Sequence, residues 1–260
     1  MKEQAMHSAH DGQDAMNAAI GTPQEHYEAL LDDVYPWMMG PFDVKAEQQQ
    51  ALFARLGITP RGCGHALDLG CGPGYQSVAL ARLGFEVTGL DTSRKLLDLM
   101  AQQTIHLHVR GVVGDIAHLR DLAPGPWSVA VCMGDTITHL PSKEAVRHML
   151  RDLAATLEQG ASVVIGYRDM SALPQGLDRF IPVKADEGRV AHCFLELESE
   201  DTYLAHDIVY TREAGTWRFA KGCYRKLRLG ADWLTAELAA CGLTVRHREV
   251  ERGMTRLVAG

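Results

Sequence analysis

The sequence predicts an α/β fold: a mostly parallel sheet preceded by helices, with an antiparallel segment inserted before its last strands. Three observations predict it. Short apolar runs alternate with stretches of helical spacing between residues 65 and 167, the pattern of parallel strands joined by crossover helices. A glycine-rich turn, Gly70-Cys71-Gly72-Pro73-Gly74, stands where the first strand meets the first of those helices. Two strands, 243–250 and 254–259, meet at Arg252-Gly253 as a hairpin.

The elements follow in order. Residues 1–21 are small and polar without a sustained period, and read as a loose tail. From 22 to 260 the chain reads as one domain, with a helical lid over 22–57. Thr22-Pro23-Gln24-Glu25 is a capping box, and Tyr27, Leu30, Leu31 and Val34 continue at helical spacing, with Pro36 as the expected end. A second helix runs from about Asp43 to Leu56, stopped by Gly57. Strands are expected over 66–69, 85–90, 106–113, 127–133 and 161–167. Helices are expected over 76–83, 93–103 and from a Ser142 cap to Gly160. Three strands, about 189–198, 202–212 and 216–229, are joined by tight turns and form the core of an insertion over about 179–229. Helical spacing returns at 232–241.

Composition excludes several classes. Lys and Arg number 26 against 33 Asp and Glu, a formal charge of −7, which argues against a broad grip on nucleic-acid phosphates or anionic lipid. No apolar run approaches the roughly 20 residues that cross a bilayer, and the first 21 residues have no apolar signal core. The six cysteines form no C-x-x-C pair and read as reduced thiols, so a cytoplasmic protein is expected. The histidines show no zinc spacing, and no metal is expected.

Chemistry concentrates at the ends of the strands. The turn after Leu69 departs from a dinucleotide fingerprint, because Tyr75 occupies the sixth position counted from Gly70; it also lacks the Lys of a phosphate-binding loop. Asp68, just before the glycines, is ill suited to a pyrophosphate and well suited to an ammonium or sulfonium group. Asp91, followed by Thr92, ends the second strand where a carboxylate accepts hydrogen bonds from ribose hydroxyls. Asp115 and Ile116 end the third strand, where a carboxylate and an N–H suit an adenine edge. Met133-Gly134-Asp135 and the following Thr136-Ile137-Thr138-His139 end the fourth strand beside the expected cleft.

On these residues the chain resembles the class I S-adenosylmethionine-dependent methyltransferases. Asp68-Leu69-Gly70-Cys71-Gly72-Pro73-Gly74 is similar to that family's first motif, Asp91 to its acidic ribose ligand and Asp115 to its adenine contact; the likeness covers roughly 60–170, with the hairpin 243–259. Within the family, Met133 to Leu140 and the leading helices are nearest to small-molecule N-methyltransferases of the glycine and sarcosine type. The resemblance implies a Rossmann-like seven-stranded sheet with a reversed terminal strand. It implies S-adenosyl-L-methionine as cofactor, held by Asp68, Gly70, Cys71, Gly72, Gly74, Asp91, Thr92, Asp115, Ile116, Met133 and Gly134. It further implies in-line methyl transfer to a nitrogen, or secondarily an oxygen, of a small-molecule acceptor. His139 is the expected base or substrate orienter. Tyr27, Tyr35, Trp37, Asp135, Tyr167, Arg168, Tyr210 and Tyr224 are the expected substrate residues, Arg168 as a carboxylate clamp. There is no Asn/Asp-Pro-Pro-Tyr motif, which disfavours nucleic-acid amines as acceptors. Two alternatives stay open: a nicotinamide-dependent oxidoreductase, against which Tyr75 and the hairpin speak, and a non-catalytic adenosyl-binding domain. Oligomeric state is not read from the sequence.

Overall fold

The computed structural model describes residues 20–260, so most of the expected tail lies outside the described residues. Its last residue, Gly21, is already ordered: the Gly21 amide donates to the Cys223 carbonyl at 3.0 Å in a bridge beside Tyr224.

The strands are β1 (His65–Leu69), β2 (Glu86–Asp91), β3 (Val109–Val113), β4 (Trp127–Cys132) and β5 (Leu157–Tyr167). They continue with β6 (Phe180–Ala185), β7 (Arg189–Leu197), β8 (Thr202–Glu213), β9 (Thr216–Leu227), β10 (Val245–Glu251) and β11 (Met254–Ala259). Seven form one sheet in the order β10-β11-β5-β4-β1-β2-β3, and β6-β7-β8-β9 form a second. In the large sheet β11 is antiparallel to both neighbours, β5 and β10, while β1 to β5 pair in parallel. The parallel strands are those that the alternation predicts, and the seven-stranded Rossmann-like sheet with a reversed terminal strand is the one that the resemblance implies. The β10–β11 turn has positive φ at both Arg252 and Gly253, matching the twist of a tight hairpin.

Every residue of β4 is buried, as expected for a central strand covered on both faces. Alternate side chains divide the core. Ala130 and Cys132 lie with Leu67, Leu69, Leu90 and Ile165 under helices 143–156 and 231–240. Val129 and Val131 lie with Ala66, Val87 and Val164 under helices 42–55 and 75–82.

Four local expectations are corrected. Pro36 does not end a helix. The first helical turn, Pro23–His26, widens into a π-helical turn over Tyr27–Leu31, and Pro36 sits in the first turn of a new helix, Tyr35–Met39, where a missing N–H costs nothing. Gly160 does not stop the long helix, which ends at Thr156; Gly160, at φ +78, lies inside β5, which begins at Leu157. β3 starts only at Val109. The inserted sheet gains a fourth strand, β6, whose mostly exposed pattern gives no alternation to read.

Candidate active site

The glycine turn is held by the strand beside it: the Gly70 and Cys71 amides both donate to the Leu90 carbonyl, at 2.8 and 3.2 Å. Asp91, at the end of β2, accepts from the Gly72 amide on one oxygen and from the Ser93 amide on the other, each at 2.8 Å. Burial pushes the Asp91 carboxyl up, and these N–H donors oppose the shift. Ser93 caps the following helix and donates its hydroxyl to Asp32 at 2.8 Å, tying the N-terminal segment to β2. Asp115 accepts from the Ala117 amide at 2.8 Å and caps a short 3-10 turn that begins at Ile116.

These elements surround a cavity of about 280 Å³ beyond the carboxyl ends of β1, β2, β3 and β4. Gly70, Cys71, Gly72, Asp91, Thr92, Asp115, Ile116, Met133 and Gly134 all line it. So do Tyr27, Tyr35 and His139, which the sequence assigns to the substrate side. Thr22, Gln24 and Thr136 also line it, and sequence reasoning did not single them out for it.

Two glycines shape the walls. A β-carbon on Gly72 (φ +51) would meet only Tyr35 and Leu96, at 3.9 and 4.0 Å, and one on Gly134 (φ +71) only the Tyr35 hydroxyl, at 3.9 Å. Each missing side chain leaves room for a ligand to reach main chain. The donor set is a carboxylate at each of two strand ends, free backbone faces and aromatic rings. It fits a hydroxylated, base-bearing, cationic ligand such as an adenosyl sulfonium and lacks a cationic partner for a pyrophosphate among the described lining residues.

Other expected site residues lie elsewhere. Asp68 does not line the cavity: alternation along β1 turns it under helix 75–82, where it is 1% exposed and accepts from the Ser77 hydroxyl at 2.7 Å. Burial pushes its carboxyl up to about 7. Gly74 packs against Met100 rather than facing the cavity. Tyr167 is buried within the large sheet. Trp37 hydrogen-bonds through Nε1 to Asp186 and lies under the Lys184 ammonium, so it fastens the helix Tyr35–Met39 to the second sheet. Tyr210 points to the outer face of that sheet, against Phe219.

Arg168 is engaged by Asp135, and so is a residue the sequence reading missed. Asp135 accepts from the Arg168 amide at 2.6 Å, from its guanidinium at 2.5 Å and from the Lys226 ammonium at 3.1 Å. The two cations hold the buried Asp135 carboxyl well below its ordinary value, against the desolvation that would raise it. Lys226 comes from β9, so this cluster joins the second sheet to the turn 136–139 that carries His139. Only the inward register of β9, which Lys226 shares with Tyr224, could have signalled it.

His139 sits within an aromatic group: Tyr27 at 5.9 Å and Tyr224 edge-on at 5.6 Å, with Tyr35 6.0 Å from Tyr27. Burial first, then the nearby Lys226 charge, push its imidazole down to about 3, so it is neutral near pH 7. The neighbouring His26 seats the lid. Its Nε2 lies 2.9 Å from Asp207, its ring stacks on Tyr224 at 4.3 Å, and Gly222 leaves the space its ring fills, since a β-carbon there would lie 2.6 Å from it.

Comparison with known proteins agrees with this geometry. Residues 66–160 match the family model described as a methyltransferase domain. The chain is 25% identical to the glycine N-methyltransferase of Rattus norvegicus over 165 residues, 58% of this chain and 56% of that protein. It is 25% identical to the CcbJ methyltransferase of Streptomyces caelestis, whose structure superposes with a TM-score of 0.72 over 88% of this chain and 95% of that one. Residues 66–160 are thus similar to a methyltransferase domain, and the chain resembles the class I S-adenosylmethionine-dependent methyltransferases. A glycopeptide N-methyltransferase complexed with S-adenosylhomocysteine shares the fold, at a TM-score of 0.56 and 18% identity over 82% of this chain and 86% of that one. The chain spans a little over half the length of the curated relative it matches. Among its described residues no helix is long and apolar enough to cross a membrane.

Proposed function

We propose that this protein is an S-adenosyl-L-methionine-dependent methyltransferase, in preference to a nicotinamide-dependent oxidoreductase, and that it transfers a methyl group to an amine nitrogen of a small-molecule acceptor, with a hydroxyl oxygen as the second choice. The observation that carries this reading is the continuity of the cavity: one volume runs from the glycine turn and Asp91 to Tyr27, Tyr35 and His139. When bound, the cofactor supplies a methyl group already activated on a sulfonium. The residues' task is to bind, orient and exclude water. Asp91 would accept from the ribose hydroxyls with the lone pairs its two N–H donors leave free. Asp115 and Ile116 would take the adenine edge, and the Gly72 and Gly134 backbone the remaining length.

Tyr27 and Tyr35 close the cavity from the lid and present aromatic faces suited to a cation. His139, neutral, has a nitrogen lone pair that accepts a hydrogen bond from the acceptor's N–H and so aims its nucleophile. An imidazole pushed so far down is a weak proton store, which makes His139 an orienter in preference to a general base. Orientation and exclusion of water contribute about 7–11 kcal/mol in favourable cases, well above the roughly 3–5 kcal/mol of a general base. The relatives named for N-methylation support nitrogen as the acceptor atom.

The test has two arms. Titration calorimetry should show binding of S-adenosylmethionine and S-adenosylhomocysteine and none of NAD. Incubation with a methyl-labelled donor across pools of amines, acids and phenols should label the amine pool. Donor binding without labelling of any pool would leave a binding domain instead of an enzyme.

A further inference from the structure

A second cavity, of about 220 Å³, lies beside the amino-terminal parts of β4 and β5, at the end of the large sheet opposite the glycine turn. A break in register opens it. Trp127 of β4 pairs with Leu157 of β5, but the next pair along is Val129 with Ser162, so residues 158–161 bow away from β4. Gly160, at φ +78, lies in the bow, and a β-carbon on it would meet nothing within 4 Å. Arg61, from the loop after helix 42–55, and Arg246, from β10, line this space with Thr59, Ser128 and Ser162. Arg246 donates to the Ser162 hydroxyl at 2.6 Å, which leaves Ser162 its own proton to give. Ser128 gives its proton to the His65 carbonyl at 2.9 Å and so offers only lone pairs. Two carboxylates stand near. Glu158 turns to the loop 61–63 and accepts from the Cys63 amide at 3.0 and 3.3 Å; that of Gly260 lies on the Arg246 side, where a β-carbon on Gly260 would be 3.0 Å from the Arg246 Nη1. Among the described residues no carboxylate comes within 4.0 Å of either guanidinium.

We propose that this cavity is an anion site for phosphate, free or as the monoester of a small molecule, separate from the cavity beside the glycine turn. Two guanidiniums that reach one space without a carboxylate partner suit a doubly charged oxyanion, because each presents a fork of N–H donors. The arrangement of donors selects phosphate over carboxylate. They come from three elements, the loop 56–61, β10 and β5, with the Ser162 proton between the arginines' two sources. A tetrahedral phosphate has three oxygens to meet them, whereas a planar carboxylate has two to share. Size agrees. The volume is below the roughly 300–1,000 Å³ of pockets for drug-sized ligands, and it suits a phosphate carrying a few carbons, for which Leu56 in the same lining supplies an apolar contact. An occupant here touches neither Asp91 nor the residues of the lid that line the first cavity.

The experiment is titration calorimetry on the full chain at low salt and alkaline pH, where phosphate is a dianion. Inorganic phosphate, glycerol 3-phosphate and succinate are the probes, and Arg61→Met and Arg246→Met are measured beside the wild type. The wild type should bind phosphate and glycerol 3-phosphate saturably, with a dissociation constant of about 1 mM or tighter, and succinate at least about tenfold more weakly. Each variant should weaken binding of both phosphates by at least about tenfold, with an unchanged far-ultraviolet circular dichroism spectrum and unchanged binding of S-adenosylhomocysteine. Tighter binding of glycerol 3-phosphate than of inorganic phosphate supports the site as one for an organic monoester; equal binding supports it as one for the free ion. A wild type that binds neither would overturn the proposal irrespective of how the variants fold. So would phosphate binding that both folded variants retain, or that S-adenosylhomocysteine displaces, since either places the anion elsewhere. Succinate bound as tightly as glycerol 3-phosphate would overturn the assignment to phosphate.

Discussion

Asp135→Asn isolates the charge that links the two sheets. Asparagine keeps the size, tolerates the positive φ of this position (75°), and can still accept from the Arg168 amide. What it removes is the counter-charge shared by the Arg168 guanidinium, which is half-exposed, and by Lys226, whose side chain is 8% exposed against 6% for Asp135. Breaking a buried pair from one side costs about 3–5 kcal/mol, because a cation stays buried and uncompensated. For a domain of this size that corresponds to a fall of roughly 6–20 °C in Tm. Lys226→Met should cost less, since Asp135 keeps both bonds from Arg168. The double variant should be no worse than Asp135→Asn alone, giving a coupling of about 1–3 kcal/mol. Urea unfolding of the four proteins measures each quantity. The folded Asp135 carboxyl titrates below its unfolded value of about 3.9, so its stabilisation is complete above about pH 4 and is lost as pH falls through the folded value. Asp135→Asn should remove that acid dependence. A loss below about 1 kcal/mol in Asp135→Asn, or a double variant equal to the sum of the singles, would refute a coupled buried pair.

Other expectations follow from the cavity. Asp91→Ala should weaken calorimetric binding of S-adenosylhomocysteine by about tenfold for each 1.4 kcal/mol of hydrogen bonding lost; unchanged binding would remove Asp91 from the site. Gly72→Ala, which places a methyl within the cavity at φ +51, should weaken the same binding by at least about tenfold while costing about 1–2 kcal/mol of stability. His139→Phe should lower labelled-methyl turnover and leave donor affinity near that of the wild type; equal turnover would make His139 structural. Asp68 is raised to about 7, so the folded state holds a proton that the unfolded state releases above about pH 4. Stability should therefore fall as pH rises from about 4 to 7, and the advantage of Asp68→Asn should grow by up to about 1.4 kcal/mol per pH unit, checked by urea unfolding across that range.

What the sequence made legible was local. The glycine turn, the Ser93 and Ser142 caps and the Asp91 spacing are set within a few residues of one another, so residue types and intervals suffice to place them. The central parallel strands β1, β2 and β4 were legible because they are buried on both faces and read as apolar runs. Misplacement began where packing across the chain decides. Asp68 looks like a ligand beside the glycines, yet strand alternation turns it under Ser77. Trp37 and Tyr210 are aromatic and near lid or insertion, but which surface each meets depends on how the second sheet lies on the first. Lys226 was invisible for the same reason: its partner is ninety-one positions away, and nothing near it in the chain distinguishes it from a solvated strand lysine.

The placement of β11 bears on how the molecule is made. It lies inside the large sheet, hydrogen-bonded to β5 on one side and β10 on the other. A ribosome releases β1 to β5 first, and until residues 254–259 emerge the Val163–Tyr167 stretch of β5 presents an unpaired apolar edge. Nascent chains stalled before that point should be the species that chaperones must shield, and truncations within the hairpin should yield insoluble protein in place of a weakened enzyme.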